Sequence, residues 1–202
     1  MKRIAFALAV MFAGTASAET PLSQLIERER AALDGLGGNA LVSYLERPST
    51  GMRYSRAWID AQPEAEGGEQ WRCLAEALYF EARGESVKGQ FAVAEVVMNR
   101  VDSAEFPDSV CGVVNQGTGR KYACQFTYTC DGHAEVVNEP RAFTRAGKVA
   151  KLMVDGAPRS LTKGATHYHA KRVSPRWSRR FARTATIGVH HFYRMPTRIS
   201  QN

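Results

Sequence analysis

The sequence predicts a mainly helical α+β fold, one compact domain with a small β-hairpin region, on three observations. Apolar residues recur at three- and four-residue steps in several separate stretches, and short aromatic stretches that suit strands come after them. No internal repeat or low-complexity tract is present, which argues against a solenoid. With 202 residues, 44% of them hydrophobic and 23% charged, the chain can bury one core, so disordered and collagen-like readings fall away. Beyond the first twenty residues there is no long uncharged apolar run of the kind that crosses a membrane.

Taken in order, residues 1–18 read as a signal peptide. Lys2 and Arg3 precede an apolar stretch from Ile4 to Gly14, and Ala16-Ser17-Ala18 offers small residues for cleavage before Glu19. The protein is therefore expected to be exported, most simply to a periplasm, with no transmembrane segment once the signal is removed. Residues 19–70 read as an arm or linker, with a short helical pattern from Leu22 to Leu33 and then Gly35, Gly37, Gly38, Pro48, Pro63, Gly67 and Gly68. The compact domain is expected over residues 71–194, with 195–202 as a C-terminal tail.

Within that domain Leu74, Ala77, Leu78 and Glu81 share one helix face, and Gly84 can supply a left-handed residue to stop the helix. Val87, Phe91, Ala94, Met98 and Val101 predict a second helix with Ser86 as its cap. After Pro107 a short helix is expected around Ser109 to Val114. Phe126 and Tyr128 alternate with neighbouring polar residues from Gln125 to Thr129, which suits a strand, with Asp131-Gly132 as a turn behind it. Pro140 can open a third long helix through Phe143, Ala146, Val149, Ala150 and Met153, ended by Gly156. Thr166–Ala170 and Val189–Tyr193 read as strands.

Four cysteines, Cys73, Cys111, Cys124 and Cys130, suit disulfides in an exported chain, and three pairings are open. Zinc on Cys124, Cys130 and His133 is the rival reading, but the spacing fits zinc sites poorly. The net charge of +7 gathers late, in Lys171-Arg172 and from Arg176 to Arg183. Export removes nucleic acid as a partner, so the basic excess is either a solvated surface or a cationic groove facing a polyanionic wall.

Glu81 stands out because a carboxylate on an apolar helix stripe loses hydration. That disfavours its charged form, as a general acid working near neutral pH requires. The competing reading is structural, with Glu81 paired to Arg83 or Arg100.

The run Cys73-Leu-Ala-Glu-Ala-Leu-Tyr-Phe-Glu81-Ala-Arg-Gly-Glu85, followed by Gly89-Gln90, Val93-Ala94, Val97 and Asn99-Arg100-Val101, resembles the signature of SleB-type cell wall hydrolases. Ser109 to Val114, Cys124-Gln125-Phe126, Ala165 to His169, Trp177 and Ile187-Gly188-Val189-His190 add to the likeness, which extends over about residues 71–194. The resemblance implies a lysozyme-like domain that cleaves the β-1,4 bond between N-acetylmuramic acid and N-acetylglucosamine. It makes peptidoglycan glycan strands the partner, needs no cofactor or metal, and carries the catalytic acid over to Glu81, with Glu85 as second choice.

A lytic transglycosylase needs only one carboxylate, whereas a hydrolytic muramidase normally wants a second one about 5 Å away for retention or about 6.5–9.5 Å away for inversion. Glu76, Glu85, Glu95 and Asp131 are the candidates for that second group. Tyr128, Tyr168 and Trp177 are candidate sugar platforms, and Gln125, Thr166, His167 and His169 candidate hydrogen-bonding groups. Two further readings stay open. One is a zinc amidase or peptidase built from His167, His169, His190, His191 and Glu81; the other is a non-catalytic wall-binding module.

Overall fold

The computed structural model describes residues 22–35, 51–120 and 123–196. The signal peptide at 1–18, most of the glycine-rich stretch after Leu33, and 197–202 of the expected tail lie outside the described residues. The chain divides into two compact units, residues 1–52 and 53–202. The first contributes one described helix, α1 (Leu22–Gly35), where Leu22 and Ile26 are exposed.

In the second unit the elements run α2 (Arg56–Asp60), α3 (Glu69–Ala82), α4 (Val87–Val101), α5 (Val110–Val114), α6 (Pro140–Val154), β1 (His167–Ala170), β2 (Ala182–Ile187) and β3 (His190–Arg194). Single 3₁₀ turns cover Thr127–Cys130 and Arg176–Arg179. The unit starts at Arg53, so residues 53–70, expected as part of an arm, pack into the domain. Ser55 caps α2 by accepting from the Trp58 amide, Ile59 is fully buried, and Tyr54 and Trp58 bring their rings 5.3 and 6.4 Å from that of Phe91.

Helix α4 forms where the period and the Ser86 cap place it, with the Ser86 hydroxyl accepting from the Gly89 amide. Its burial exceeds the single stripe expected. Val87, Phe91, Ala92, Val93, Ala94, Val96 and Val97 are all buried, because α3, α5, α6, β1 and β2 surround the helix. Each such large side chain contributes about 1.5–3 kcal/mol of burial.

The polar residues of α4 are spent on the segment that leads into β1. Fully buried Glu95 accepts from the amides of Leu161 and Thr162 and from the Thr162 hydroxyl, all within 2.8 Å. Asn99 Nδ2 donates to the Ala165 carbonyl at 2.9 Å and Arg100 Nε to the Thr166 carbonyl at 2.7 Å. These bonds satisfy buried backbone groups and fix where β1 begins.

Helix α3 packs on α6, where Trp71 Nε1 donates to the Gly147 carbonyl at 2.8 Å. A Cβ on Gly147 would come within 3.2 Å of the Trp71 ring, so the small residue sets the spacing. Disulfides join Cys73 to Cys111, tying α3 to α5, and Cys124 to Cys130. The second bridge takes the place of the zinc reading for those cysteines. It closes a loop of six-residue separation, and within it Thr127–Cys130 coils as a 3₁₀ turn rather than the expected strand.

Gly84 likewise departs from expectation: α3 is followed by Arg83 in a right-handed conformation, and Gly84 is not among the positive-φ glycines. Gly156, at φ 92°, does follow α6 as the sequence suggests.

The strands form one antiparallel sheet in the order β1-β3-β2. Strand β2, which the sequence left unassigned, pairs with β3 as a hairpin through Gly188-Val189. The sheet lays Tyr168, Ala185, Ile187 and Phe192 against Ala92, Val96 and Ala165. The alternation of strand side chains sends His167, His169, His191 and Tyr193 to the other face.

Candidate active site

Glu81 sits on the last turn of α3, half-buried, and burial pushes its carboxyl above the ordinary value. The two arginines that a structural reading would pair with it are engaged elsewhere. Arg83 Nε donates to Glu139 Oε1 at 2.9 Å, and its guanidinium lies over the Tyr79 ring. Arg100 is bound to the Thr166 carbonyl and lies 5.3 Å over the Phe106 ring. Among the described residues no ion pair engages Glu81.

The last turns of α3 are held from outside. The hydroxyl of buried Tyr79 accepts from the amides of Asn138 and Glu139 at 3.0 and 3.1 Å, where the long loop rejoins α6. Phe80 stacks on Tyr128 with ring centroids 4.6 Å apart. Tyr128 thus lies in the Cys124–Cys130 loop against the residue that precedes Glu81, and Tyr168 stands on β1. Burial raises both tyrosine hydroxyls well above the usual range, and the negative charge of Glu81 acts on both. Arg100, its own pKa lowered by burial to about 10, partly offsets this at Tyr168.

Of the sequence-predicted residues, Tyr128 and Tyr168 are the two on which the Glu81 charge acts, and others lie elsewhere. His167 and Trp177 lie on the opposite face of the sheet from Tyr168, with centroids 5.3 Å apart, and Trp177 also packs on His169 and Tyr193. Desolvation first, and the Arg100 charge second, lower His167 to about 4. The Thr166 hydroxyl lies 3.0 Å from His167 Nδ1, and the Thr166 carbonyl serves Arg100. Gln125 is half-buried, its backbone amide bonded to the Gln116 carbonyl at 2.8 Å. Phe80 and Tyr79 were missed by the sequence reading. Only their place one and two residues before Glu81 hinted at them, since Phe80 lies off the apolar stripe.

The alternative carboxylates are all engaged. Glu76 pairs with Arg72 at 3.0 Å, Glu95 is bound by the 161–162 segment, and Asp131 Oδ1 accepts from the His133 amide. Glu85 is buried against the hairpin turn, 8% exposed at its side chain, with Oε1 3.3 Å from His190 Nδ1 and 3.4 Å from the Val189 amide. Among the described residues no three His, Cys, Asp or Glu side chains converge as a metal-ligand set. His169 Nε2 is 3.0 Å from the Tyr193 hydroxyl, while His190 turns to Glu85 on the other face.

Comparison with known proteins gives this arrangement its class. A family model described as Cell Wall Hydrolase matches residues 84–193, over half of the chain and starting three residues after Glu81. The chain belongs to the cell wall hydrolase family of enzymes.

Two solved structures are similar to it. The catalytic domain of the germination-specific lytic transglycosylase SleB from Bacillus anthracis matches with TM-score 0.51 and 29% identity, over 66% of this chain and 100% of that one. The catalytic domain of the Bacillus cereus SleB protein matches with TM-score 0.50 and 29% identity, over 66% and 98%.

Among curated proteins, the spore cortex-lytic enzyme of Oceanobacillus iheyensis is 48% identical over 52 residues, 26% of this chain and 19% of that protein. The spore cortex-lytic enzyme of Bacillus subtilis is 56% identical over 43 residues, 21% of this chain and 14% of that protein. The matched segments thus span less than a fifth of these relatives' own length.

Proposed function

We propose that the protein is an exported peptidoglycan lytic transglycosylase that cuts between N-acetylmuramic acid and N-acetylglucosamine, with Glu81 as acid and then base. The observation that carries this reading is a half-buried carboxyl, raised by desolvation, that no cation pairs with among the described residues and whose charge acts on Tyr128 and Tyr168. The protonated Glu81 gives its proton to the glycosidic oxygen as the bond to the muramyl anomeric carbon breaks. The resulting carboxylate takes the proton of the muramyl 6-hydroxyl while that oxygen bonds to the anomeric carbon. The product is a 1,6-anhydro ring, Glu81 ends protonated, and no water is consumed.

A single-carboxylate route is supported by the engagement of Glu76, Glu85, Glu95 and Asp131 in other contacts. Tyr128, stacked on Phe80, is the sugar platform nearest the acid in this reading. Mass spectrometry of the products released from purified sacculi tests it. Muropeptides ending in 1,6-anhydromuramic acid, lighter by one water than hydrolysed ones, are the expected result. Reducing ends would replace the transglycosylase with a muramidase, and absence of glycan cleavage would remove both.

A further inference from the structure

After Asp155 the sequence holds ten lysines and arginines and no aspartate or glutamate. The rest of the chain is therefore net acidic, and the basic character of the protein belongs to the sheet and its flanking 3₁₀ turn. Arg176, Arg179 and Arg180 are exposed and share a hollow with Trp177 and Phe181, whose rings lie 5.4 Å apart. Arg183 follows on β2, and its charge, like that of Lys171, reaches His191 on the same outer face. Among the described residues none of these cations has a carboxylate within ion-pair distance.

Like charges held together without counter-charges repel one another, so folding gains nothing from this clustering. The aromatic floor is fixed independently, because Trp177 packs on His167, His169 and Tyr193. Side chains that end in planar five-donor guanidinium groups, rooted on a rigid aromatic base, suit carboxylates, which they can bind through paired hydrogen bonds. A wall polymer carries such groups at intervals, on the short peptides attached to its glycan.

We infer that the outer face of the sheet, with Arg176, Arg179, Arg180 and Arg183 around Trp177, is a second peptidoglycan-binding surface that takes the peptide-stem carboxylates outside the Glu81 cleft. The surface rests on the wall-lytic reading for its partner and not on Glu81 for its chemistry. It binds through charge, so it is weakened by salt.

The test is co-sedimentation of the purified protein with sacculi at low and raised salt, beside the double variant Arg179→Glu/Arg180→Glu. Both arginines are exposed and make no side-chain hydrogen bond among the described residues, and circular dichroism confirms that the variant folds. The expected result is parent binding that falls with salt and an affinity at least about tenfold lower in the variant. Sacculi whose stem carboxylates have been amidated should bind parent and variant alike.

Equal binding of parent and variant to untreated sacculi would overturn the inference, as would undiminished binding of the parent to amidated sacculi. Arginine-dependent binding to phosphatidylglycerol vesicles with none to sacculi would assign the surface to a membrane instead. Glycan cleavage is scored separately by product mass. Loss of the transglycosylase reading therefore leaves this result standing, and the reverse also holds.

Discussion

Glu85 follows Glu81 by four positions, and the regions around them treat a carboxylate in opposite ways. Around Glu85 the hairpin turn closes down until no side chain fits: Gly188, at φ 57°, would place a Cβ 2.0 Å from Glu85 Oε2. His190 and the Val189 amide then face the carboxylate. Around Glu81 burial removes water, and among the described residues no ion pair supplies positive charge. The first arrangement ties the start of α4 to the hairpin turn, and the second leaves a carboxyl whose charged form is disfavoured by burial. Partnering, more than burial, distinguishes the two carboxylates, and it is what the proposed role of Glu81 rests on.

The largest expected effect comes from Glu81→Gln, which keeps the shape but has no proton to give. Release of muropeptides from sacculi should fall by about a thousandfold with the fold retained, and retained activity would end the assignment. Gly188→Ala should act on the other region, through a positive φ and a direct collision with Glu85. A loss of about 2–3 kcal/mol in urea unfolding is expected. A neutral outcome would show that the turn does not need the carboxylate beneath it.

Glu85→Gln is milder. It removes the charge facing His190 and should cost about 1–2 kcal/mol while sacculus cleavage stays within about tenfold of the parent. A loss as deep as that of Glu81→Gln would make Glu85 the second catalytic carboxylate.

The smallest effect concerns pH. Glu81 holds its proton more tightly folded than unfolded, so its contribution to stability is complete below its ordinary value of 4.5 and is lost as pH rises through the raised folded value. Glu81→Gln escapes this loss. The variant should therefore gain on the parent in urea midpoint as pH rises from 4.5 through the raised folded value, and an unchanged difference would mean that burial does not shift the group. Activity should decline over the same rise, as the acid form is depleted.

Much of the architecture was legible because its signals are local. Ser86 and the three-four period bound α4 at Val87 and Val101, and Pro140 with Gly156 framed α6. Glu81 was legible as an acid on a buried stripe. What the sequence hid depends on distant partners. Helix α2 has five residues and one fully buried position, too short for a period to show, so Tyr54, Trp58 and Ile59 looked like linker. The Gln125–Thr129 pattern suited a strand until the Cys124–Cys130 bridge curled it.

Strand β2 alternates Thr184 and Thr186 with Arg183, Ala185 and Ile187 and is largely half-exposed, which left no strong signature. Thr166, His167 and Tyr168 are adjacent in sequence without sharing a surface: neighbours on a strand face opposite ways, so His167 turns from Tyr168, and the Thr166 hydroxyl turns to His167 Nδ1.

Seen mechanically, α3 is a beam supported at both ends. Trp71 on Gly147 and the Cys73–Cys111 bridge hold its base, and the Tyr79 hydroxyl grips the 138–139 backbone near its tip. Helix ends ordinarily fray, and their amides exchange with solvent long before the core opens. Here the tip is clamped by groups far away in sequence, so it cannot unwind without also pulling the start of α6 apart. Glu81 rides on that tip, and its position is as steady as the joint between two helices rather than as loose as a terminal turn.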